Sequence, residues 1–354
     1  MKEESEQNDT LFGKVSLLIE QSRQHEGTAA DTAMVYACYG IGRCIAEYEQ
    51  DGRQGAEHGK TILKDLSKRL TDKYGKDWTV NTLKKCRDFF LMYSNTATTA
   101  RNSQKGSSAP PAFPLSWPHY LVLMRIEDPD ERSFYETECR NQNWSVRQLQ
   151  RQYNSSLYER LALSRDKKDV MRLATEGQTI EKPSDIIKSP ITLEFLGLKP
   201  DESYSETKLE NAIISKIQNF LLEMGKGFLF EARQKRFTFD EDNYYVDLVL
   251  YNRLLQCYVL IDLKIDKLTH QDLGQMQMYV NYFDRYVKQD FEKPTIGILL
   301  CKEKNDTLVE LTLPKDANIY ASAYALYLPN KELLQAKVKE WIEEFEENEA
   351  MNKQ

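Results

Sequence analysis

Read as a pattern of apolar and polar positions, the chain changes character near its middle. In the first half, apolar side chains recur three and four apart in KVSLLIEQ, TAMVYACYGIGRCIAEYEQ, TILKDLSKRLTDKYG and TVNTLKKCRDFFLMYS, each the stripe of an amphipathic helix. After a break, a helix opens near Trp117, another covers ERSFYETECRNQ, and a third runs through WSVRQLQRQYNSSLYERLALS. The break itself, 96–114 (TATTARNSQKGSSAPPAFP), is rich in Ser, Thr, Pro and Gly and reads as a flexible loop. Residues 10–170 are therefore expected to form an all-α domain. Beyond Arg172 the apolar runs thin out and Lys182-Pro183 and Ser189-Pro190 set breaks, so 171–205 is expected to be a linker.

The period then changes. One helix is predicted from Glu206 to Met224, with Gly225 and Gly227 as stop signals. FEARQKRFTFD, YYVDLVLYN, CYVLIDLKI and PTIGILLC are strand-length runs of β-branched and aromatic residues, and a helix, HQDLGQMQMYVNYFDRYVKQ, separates the third from the fourth. That order predicts an α/β domain with a mixed central sheet over 206–335, followed by an acidic amphipathic helix at 336–354. The fold class is thus α + α/β.

Charge alters the picture only when it is counted by segment. The 354 residues carry 48 Lys+Arg against 55 Asp+Glu, a net charge of −7 that excludes a protein coated in positive charge. Residues 1–50 hold 4 basic and 9 acidic side chains, 51–170 hold 21 and 15, and 201–354 hold 19 and 27. A localised basic surface is therefore expected in the helical half. Lys64, Lys68, Arg69, Lys73 and Lys76, then Lys84, Lys85 and Arg87, straddle a helix, a turn at Tyr74-Gly75 and a second helix. That arrangement is compatible with helix-turn-helix reading of DNA, and equally with two helices whose lysines are simply solvated. Arg147, Arg151 and Arg160 with Trp144, Tyr153 and Tyr158 form a second basic and aromatic set, suited to DNA, to domain packing or to a dimer. The candidate DNA contacts are Lys68, Arg69, Lys84, Lys85, Arg87, Arg147 and Arg151.

Other classes fall away. The six cysteines include no CxxC pair and the four histidines are scattered, so neither a disulfide framework nor a zinc site is expected. QGAEHGKT, 54–61, ends like a phosphate-binding loop but begins with Gln54 and follows no strand, so an NTPase is not expected. The polar, acidic N-terminus and the lack of an apolar run near ~18 residues predict a cytoplasmic protein without membrane contact.

The chemistry-bearing residues interrupt the strands. Asp262 and Lys264 sit two apart in Ile261-Asp262-Leu263-Lys264-Ile265 and so project to one face, about 7 Å apart at Cα. A surface ion pair on an edge strand would look similar, but Val259, Leu260, Ile261, Leu263 and Ile265 make both faces apolar, as in a central strand. Asp247 interrupts the preceding strand, and the connection Asn252 to Gln256 is of hairpin length, so antiparallel pairing would bring Asp247 beside Asp262. Two carboxylates held together repel unless a divalent cation or a shared proton intervenes.

Asp247 followed by Asp262-Leu263-Lys264 resembles the PD-(D/E)xK nuclease signature, with Asp262 in the position that takes either acid and Val246 where the Pro would stand. More widely, AEHGKTILKDLSKRL, LSWPHY, WSVRQLQRQYNSSLYERL, EARQKRF, YYVDLVLYN, IDLKI and GQMQMYVNYFD are similar to the bacterial YhcG-type family, which pairs a helical N-terminal domain with a C-terminal PD-(D/E)xK domain. The resemblance implies a restriction-endonuclease-like fold for 206–335 and a Mg²⁺-dependent DNA endonuclease, with Mn²⁺ as a substitute. It places the metal on Asp247, Asp262 and the Leu263 carbonyl, Lys264 beside the attacking water, Glu210 on the helix before the sheet as a ligand of a second ion or the holder of a water, and Gln275 on the helix after it to position Lys264 or the phosphate. It also implies that the N-terminal domain recognises DNA or a partner protein, in the handling of foreign or mobile DNA. Glu210 has a second reading, as the Glu of a capping box begun at Thr207. Gln234 stays outside the catalytic set. Apolar stripes on the 144–163 and terminal helices suggest a homo-oligomer, a dimer or higher. The rival is a catalytically silent nucleic-acid-binding or assembly module that retains the fold.

Overall fold

The computed structural model describes residues 2–25, 28–51, 56–101, 112–164, 167–188, 190–199, 203–314 and 316–340. The chain divides into two compact units, one made of Met1–Arg132 with Cys139–Leu149, the other of Ser133–Glu138 with the chain from Gln150 onward. Helices α1 (Lys2–Ser22), α2 (Thr28–Asp51), α3 (Ala56–Tyr74), α4 (Val80–Arg101) and α5 (Trp117–Leu123) lie in the first unit, while α6 (Pro129–Gln142) and α7 (Val146–Asn154) are shared between them. The apolar stripes predicted for α1 to α4 meet in one core of Val15, Ile19, Ile41, Leu66, Leu70, Leu83 and Cys86. Gly42 is needed there, because a Cβ at that position would lie 2.0 Å from the Cys86 carbonyl oxygen of α4. Gly75, at φ +102°, ends α3, and the Thr79 hydroxyl accepts from the Thr82 N–H to start α4.

Three expectations change along the way to the sheet. The loop expected at 96–114 begins later, since α4 runs on through Thr96 to Arg101; Ala and Thr permit a helix, and the first Gly is at 106. Residues 102–111 lie outside the described residues. The single helix expected over 144–163 is two, α7 and α8 (Leu157–Leu163), parted at Ser155 and Ser156, where Ser156 takes φ +53°. The stretch 171–205, read as a linker, carries ordered structure: α9 (Lys167–Glu176) ends in it, two short 3₁₀ turns follow, and a strand β1 (Ile191–Thr192) pairs in parallel with the last strand of the sheet.

The second unit is built on a six-stranded mixed sheet in the order β1-β6-β5-β4-β3-β2, a restriction-endonuclease-like α/β fold. Helices α10 (Glu206–Ser215) and α11 (Ile217–Met224) replace the one helix expected, because the backbone breaks at Lys216 (φ −123°, ψ 30°). The four predicted strands are β2 (Phe228–Phe239), β3 (Asp242–Asn252), β4 (Cys257–Lys267) and β5 (Ile296–Glu303), with α12 (His270–Tyr282) and a π turn at Phe283–Val287 between the last two. After α13 (Asp306–Thr312) comes β6 (Ile319–Ala325), which the sequence pattern did not announce. Strand alternation divides the core: Leu248, Leu250, Val259, Ile261, Leu263 and Ile298 pack with Leu209, Ile213 and Phe220 of α10 and α11. On the other face, Val249, Leu260, Leu299 and Cys301 pack with Leu273, Met276, Tyr279 and Val280 of α12. Gly297 of β5 admits α12, since a Cβ there would meet Met276 Cγ at 2.6 Å.

A cluster of charged groups is buried in this unit around one glutamate. Glu223 of α11 is fully enclosed and binds Arg160 (2.5 Å) and Arg151 (2.6 Å), while the Lys188 ammonium donates to its backbone carbonyl (2.5 Å). Burial alone would raise the Glu223 carboxyl, but Arg160, Arg151 and Lys188 hold it down at about 2, whereas burial lowers Lys188 to about 8. Among the described residues no helix is long and apolar enough to cross a membrane. Residues 331–340 are helical, and the rest of the terminal helix expected at 336–354 lies outside the described residues.

Candidate active site

The site forms where β3 and β4 part. Their antiparallel ladder runs from Asn252↔Cys257 to Leu248↔Ile261 and goes no further, while β3 continues beside β2 and β4 beside β5. At the fork the side chain of Asp247 takes over the work of a backbone carbonyl: its Oδ2 accepts the Leu263 N–H at 2.8 Å. Because Val259, Ile261 and Leu263 face α10 and α11, Asp262 and Lys264 face α12. The sequence-predicted trio of Asp247, Asp262 and Lys264 therefore comes together where the β3–β4 ladder ends, midway along both strands.

Asp262 is 3% exposed and its Oδ2 lies 2.8 Å from Lys264 Nζ. Burial, with Asp247 adding repulsion and Lys264 opposing, pushes its carboxyl up to about 7. Burial would strip the Lys264 ammonium of its proton, but Asp262 more than reverses this and holds the amine above its ordinary value. Lys264 is thus a standing positive charge. Asp272 lies 3.6 Å from it, fixed at the start of α12 by a capping box in which its Oδ2 accepts from the Thr269 N–H and hydroxyl.

Glu210 is not the cap. Ser205 caps α10 by accepting the Lys208 N–H, and Glu210, 4% exposed, points inward to Arg233 Nε at 3.0 Å. Its link to the other acids is Gln234, whose side-chain amide nitrogen donates to Glu210 Oε2 (2.8 Å) and to Asp247 Oδ1 (2.9 Å). Gln234 adopts φ +46° within β2, just beyond a bulge between Phe230 and Ala232. A non-glycine residue in that region is held by its surroundings, here by two carboxylates. Gln275 is differently engaged from what was expected: its amide donates to the Tyr279 hydroxyl one turn on, and the α12 side chain beside Lys264 is Asp272. Burial raises Tyr279, against that hydrogen bond.

Asp272 and Glu206 are members missed from the sequence, and Gln234, set outside the catalytic set there, belongs to the assembly. Glu206, first residue of α10, has its carboxyl lifted by burial, against the pull of Lys264 and with Asp247 and Asp272 adding repulsion, so it lies in the same field. Only Asp272 had a readable signal, the Thr269-x-x-Asp272 capping pattern; Gln234 depends on the hairpin register, and nothing local marks Glu206.

The donor set consists of hard oxygens. Among the described residues no three of His, Cys, Asp and Glu gather into a metal cage, so what is offered is two carboxylates and adjacent backbone. That suits Mg²⁺, which keeps several waters and is typically bound through one or two carboxylates. The raised carboxyl of Asp262 is the observation that favours a cation here, because a divalent ion removes the repulsion that burial imposes on the pair.

The candidate DNA-contacting residues are more dispersed. Lys68, Lys84 and Arg147 are exposed and Lys85 is half-buried. Arg69 pairs with Asp9 at 2.9 Å and lies 4.1 Å over the Phe12 ring, and Arg87 pairs with Glu49 and Asp88. Arg151 leaves the set: its guanidinium faces inward, to Glu194, Glu223 and the Thr192 carbonyl.

Comparison with known proteins gives three findings. Residues 184–339 match the YhcG PDDEXK nuclease domain, and residues 14–160 match the DUF1016 N-terminal domain. The chain is 34% identical over 338 residues to "Putative nuclease YhcG" of Escherichia coli (strain K12), covering 90% of each. The crystal structure of a repair endonuclease from Pyrococcus abyssi aligns with 37% of this chain and 50% of that one, at 19% identity and a TM-score of 0.25.

Proposed function

The chain belongs to the YhcG family of PDDEXK nucleases, and from that premise we propose that it is a Mg²⁺-dependent endonuclease hydrolysing DNA phosphodiester bonds. The observation that carries this reading is the meeting of Asp247, Asp262 and Lys264 at the β3–β4 fork, with Asp262 buried against Asp247 and its carboxyl raised to about 7.

Asp247 and Asp262, with the Leu263 carbonyl, would hold the ion. When bound, a divalent cation supplies an acidified water and neutralises charge on the phosphate. Lys264, kept protonated by Asp262, acts as a fixed cation toward the oxygens on which charge develops, and not as a base. The Leu263 N–H fixes one oxygen of Asp247, and Gln234 fixes the other while tying Glu210 to the same assembly. Asp272 confines the Lys264 ammonium from the α12 side. The N-terminal helical unit, with Lys68, Lys84, Lys85 and Arg147 presented on it, is proposed to recognise DNA or a partner protein, in a homo-oligomer acting on foreign or mobile DNA.

The test is a cleavage panel of linear, nicked, branched and single-stranded DNA, with Mg²⁺, Mn²⁺ or EDTA. Cleavage of at least one form in metal and none in EDTA is expected. No cleavage of any form, with DNA still bound by the Asp247→Ala variant, would favour the silent binding module instead.

A further inference from the structure

Beside the acids, between β2 and α12, lies a groove of about 420 Å³ that none of the catalytic roles above uses. Phe237 and Phe239 line one side, and α12 with its π turn supplies Gln277, Tyr282, Arg285 and Tyr286 on the other. Its volume is that of a small-molecule site. Two of its rings stand out in solvent, Phe239 at 55% and Tyr286 at 66% exposure, while Phe237 is buried and stacked on Tyr282 with centroids 4.1 Å apart. Among the described residues that line the groove, Arg285 alone is charged, so the lining itself offers an anionic ligand one cation. The Gln277 side-chain oxygen has no hydrogen-bond partner, its amide nitrogen donating to Asn281 at 3.3 Å. Gly274, an exposed part of the lining, leaves space, with nothing within 4 Å of where a Cβ would stand.

The groove touches the site through one chain of contacts. Phe237 packs edge-on against Tyr279, 5.5 Å between centroids, and Tyr279 lies in the field of Asp262, Asp247 and Lys264. A ligand here therefore lies one side chain away from Tyr279 and on the helix that carries Asp272. Exposed aromatic rings, one cation and an unpaired amide acceptor match an unstacked nucleotide: ring faces for the base, a cation for phosphate, an amide for the base edge. A base within continuous duplex is stacked and cannot enter.

We propose that this groove holds an unpaired base of the DNA strand being cut, so that the enzyme selects single-stranded or locally opened DNA over intact duplex. The proposal rests on the nuclease reading and adds the form of its substrate.

The experiment uses the full chain carrying Lys264→Ala, which should bind without cutting, and a single-stranded oligodeoxynucleotide containing 2-aminopurine, alone or annealed to its complement. Adding Phe239→Ala and Tyr286→Ala, both exposed and outside the catalytic set, should weaken the single strand about 5- to 150-fold, the range for loss of base stacking on an aromatic side chain. Duplex binding should change less than about 2-fold, and the fluorescence quench of the bound single strand should disappear. Gly274→Leu, which removes no ring but adds bulk to the lining, should reproduce the loss. Unchanged single-strand affinity in both variants, or an equal loss for strand and duplex, would overturn the proposal while leaving the nuclease reading intact. Tighter binding of the matching single-stranded RNA would overturn its assignment to DNA. Failure of the folded Lys264→Ala protein to bind DNA in any form would remove the nuclease reading and this proposal together.

Discussion

Asp262→Asn should make the metal-free protein more stable while destroying its activity. Burial and Asp247 raise the Asp262 carboxyl from 3.8 to about 7 in the folded chain, with Lys264 only partly offsetting them. Because the folded value is the higher one, the favourable contribution of this group is complete below its unfolded value and is lost as the pH rises through 7. Each unit of difference is ~1.4 kcal/mol, so ionised Asp262 destabilises the fold by about 4 kcal/mol above pH 7 and by less than half as much at pH 5. Asn, close in shape to the neutral acid, escapes that charge. Hydrogen exchange of the β4 and β5 amides, in EDTA at pH 5 and pH 8, reads the difference in the unit that contains the site. Asp262→Asn should be the more protected protein at both values, with a gap that widens toward pH 8. Added Mg²⁺ should then stabilise the wild type and leave the variant unchanged. A variant equally or less protected at pH 8, or a gap that does not depend on pH, would refute the reasoning that this carboxylate is kept under electrostatic load.

Other expectations follow from the same contacts. Gln234→Ala should lower cleavage about 10- to 100-fold with an unchanged circular-dichroism spectrum, because Glu210 and Asp247 lose their shared donor. Glu223→Gln, which leaves Arg160, Arg151 and Lys188 facing a neutral group, should reduce urea stability by about 3–5 kcal/mol. In the wild type the contribution of Glu223, whose folded value is depressed to about 2, is present above 4.5 and lost as the pH falls below that, and the acid limb of the stability curve should flatten in the variant. Gly42→Ala should destabilise the first unit by about 1–3 kcal/mol, read by Trp78 fluorescence in urea, since its Cβ has no room against the Cys86 carbonyl.

What could be read in advance was whatever repeats at a fixed interval. The helices α1 to α4 and strands β2 to β5 carry strong apolar periods, and Asp262 and Lys264 were visible because they break one such period two residues apart. β6 escaped because IYASAYA is mostly small residues, and β1 because two residues have no period; both take their place from the parallel ladder with their neighbours. For Arg151 the sequence left DNA, domain packing and a dimer open, because its partners, Glu194 and Glu223, are far along the chain. The break at Ser155 and Ser156 was hidden since the apolar pattern continues across it, while the Arg160 guanidinium donates to the Ser155 carbonyl. Gln234 could not be recognised because its role depends on a positive φ beyond a β-bulge, and neither has a signature in Ala232-Arg233-Gln234-Lys235.

The central claim is that Asp247, Asp262 and Lys264 form one hydrolytic centre. Its most direct test is single-turnover cleavage, in Mg²⁺, of whichever DNA form the wild type cuts best, repeated with Lys264→Ala at matched DNA occupancy. The account predicts bound DNA and loss of the cleavage step by at least about 100-fold, the scale expected for removing a fixed stabilising charge. Cleavage by Lys264→Ala at the wild-type rate would contradict it.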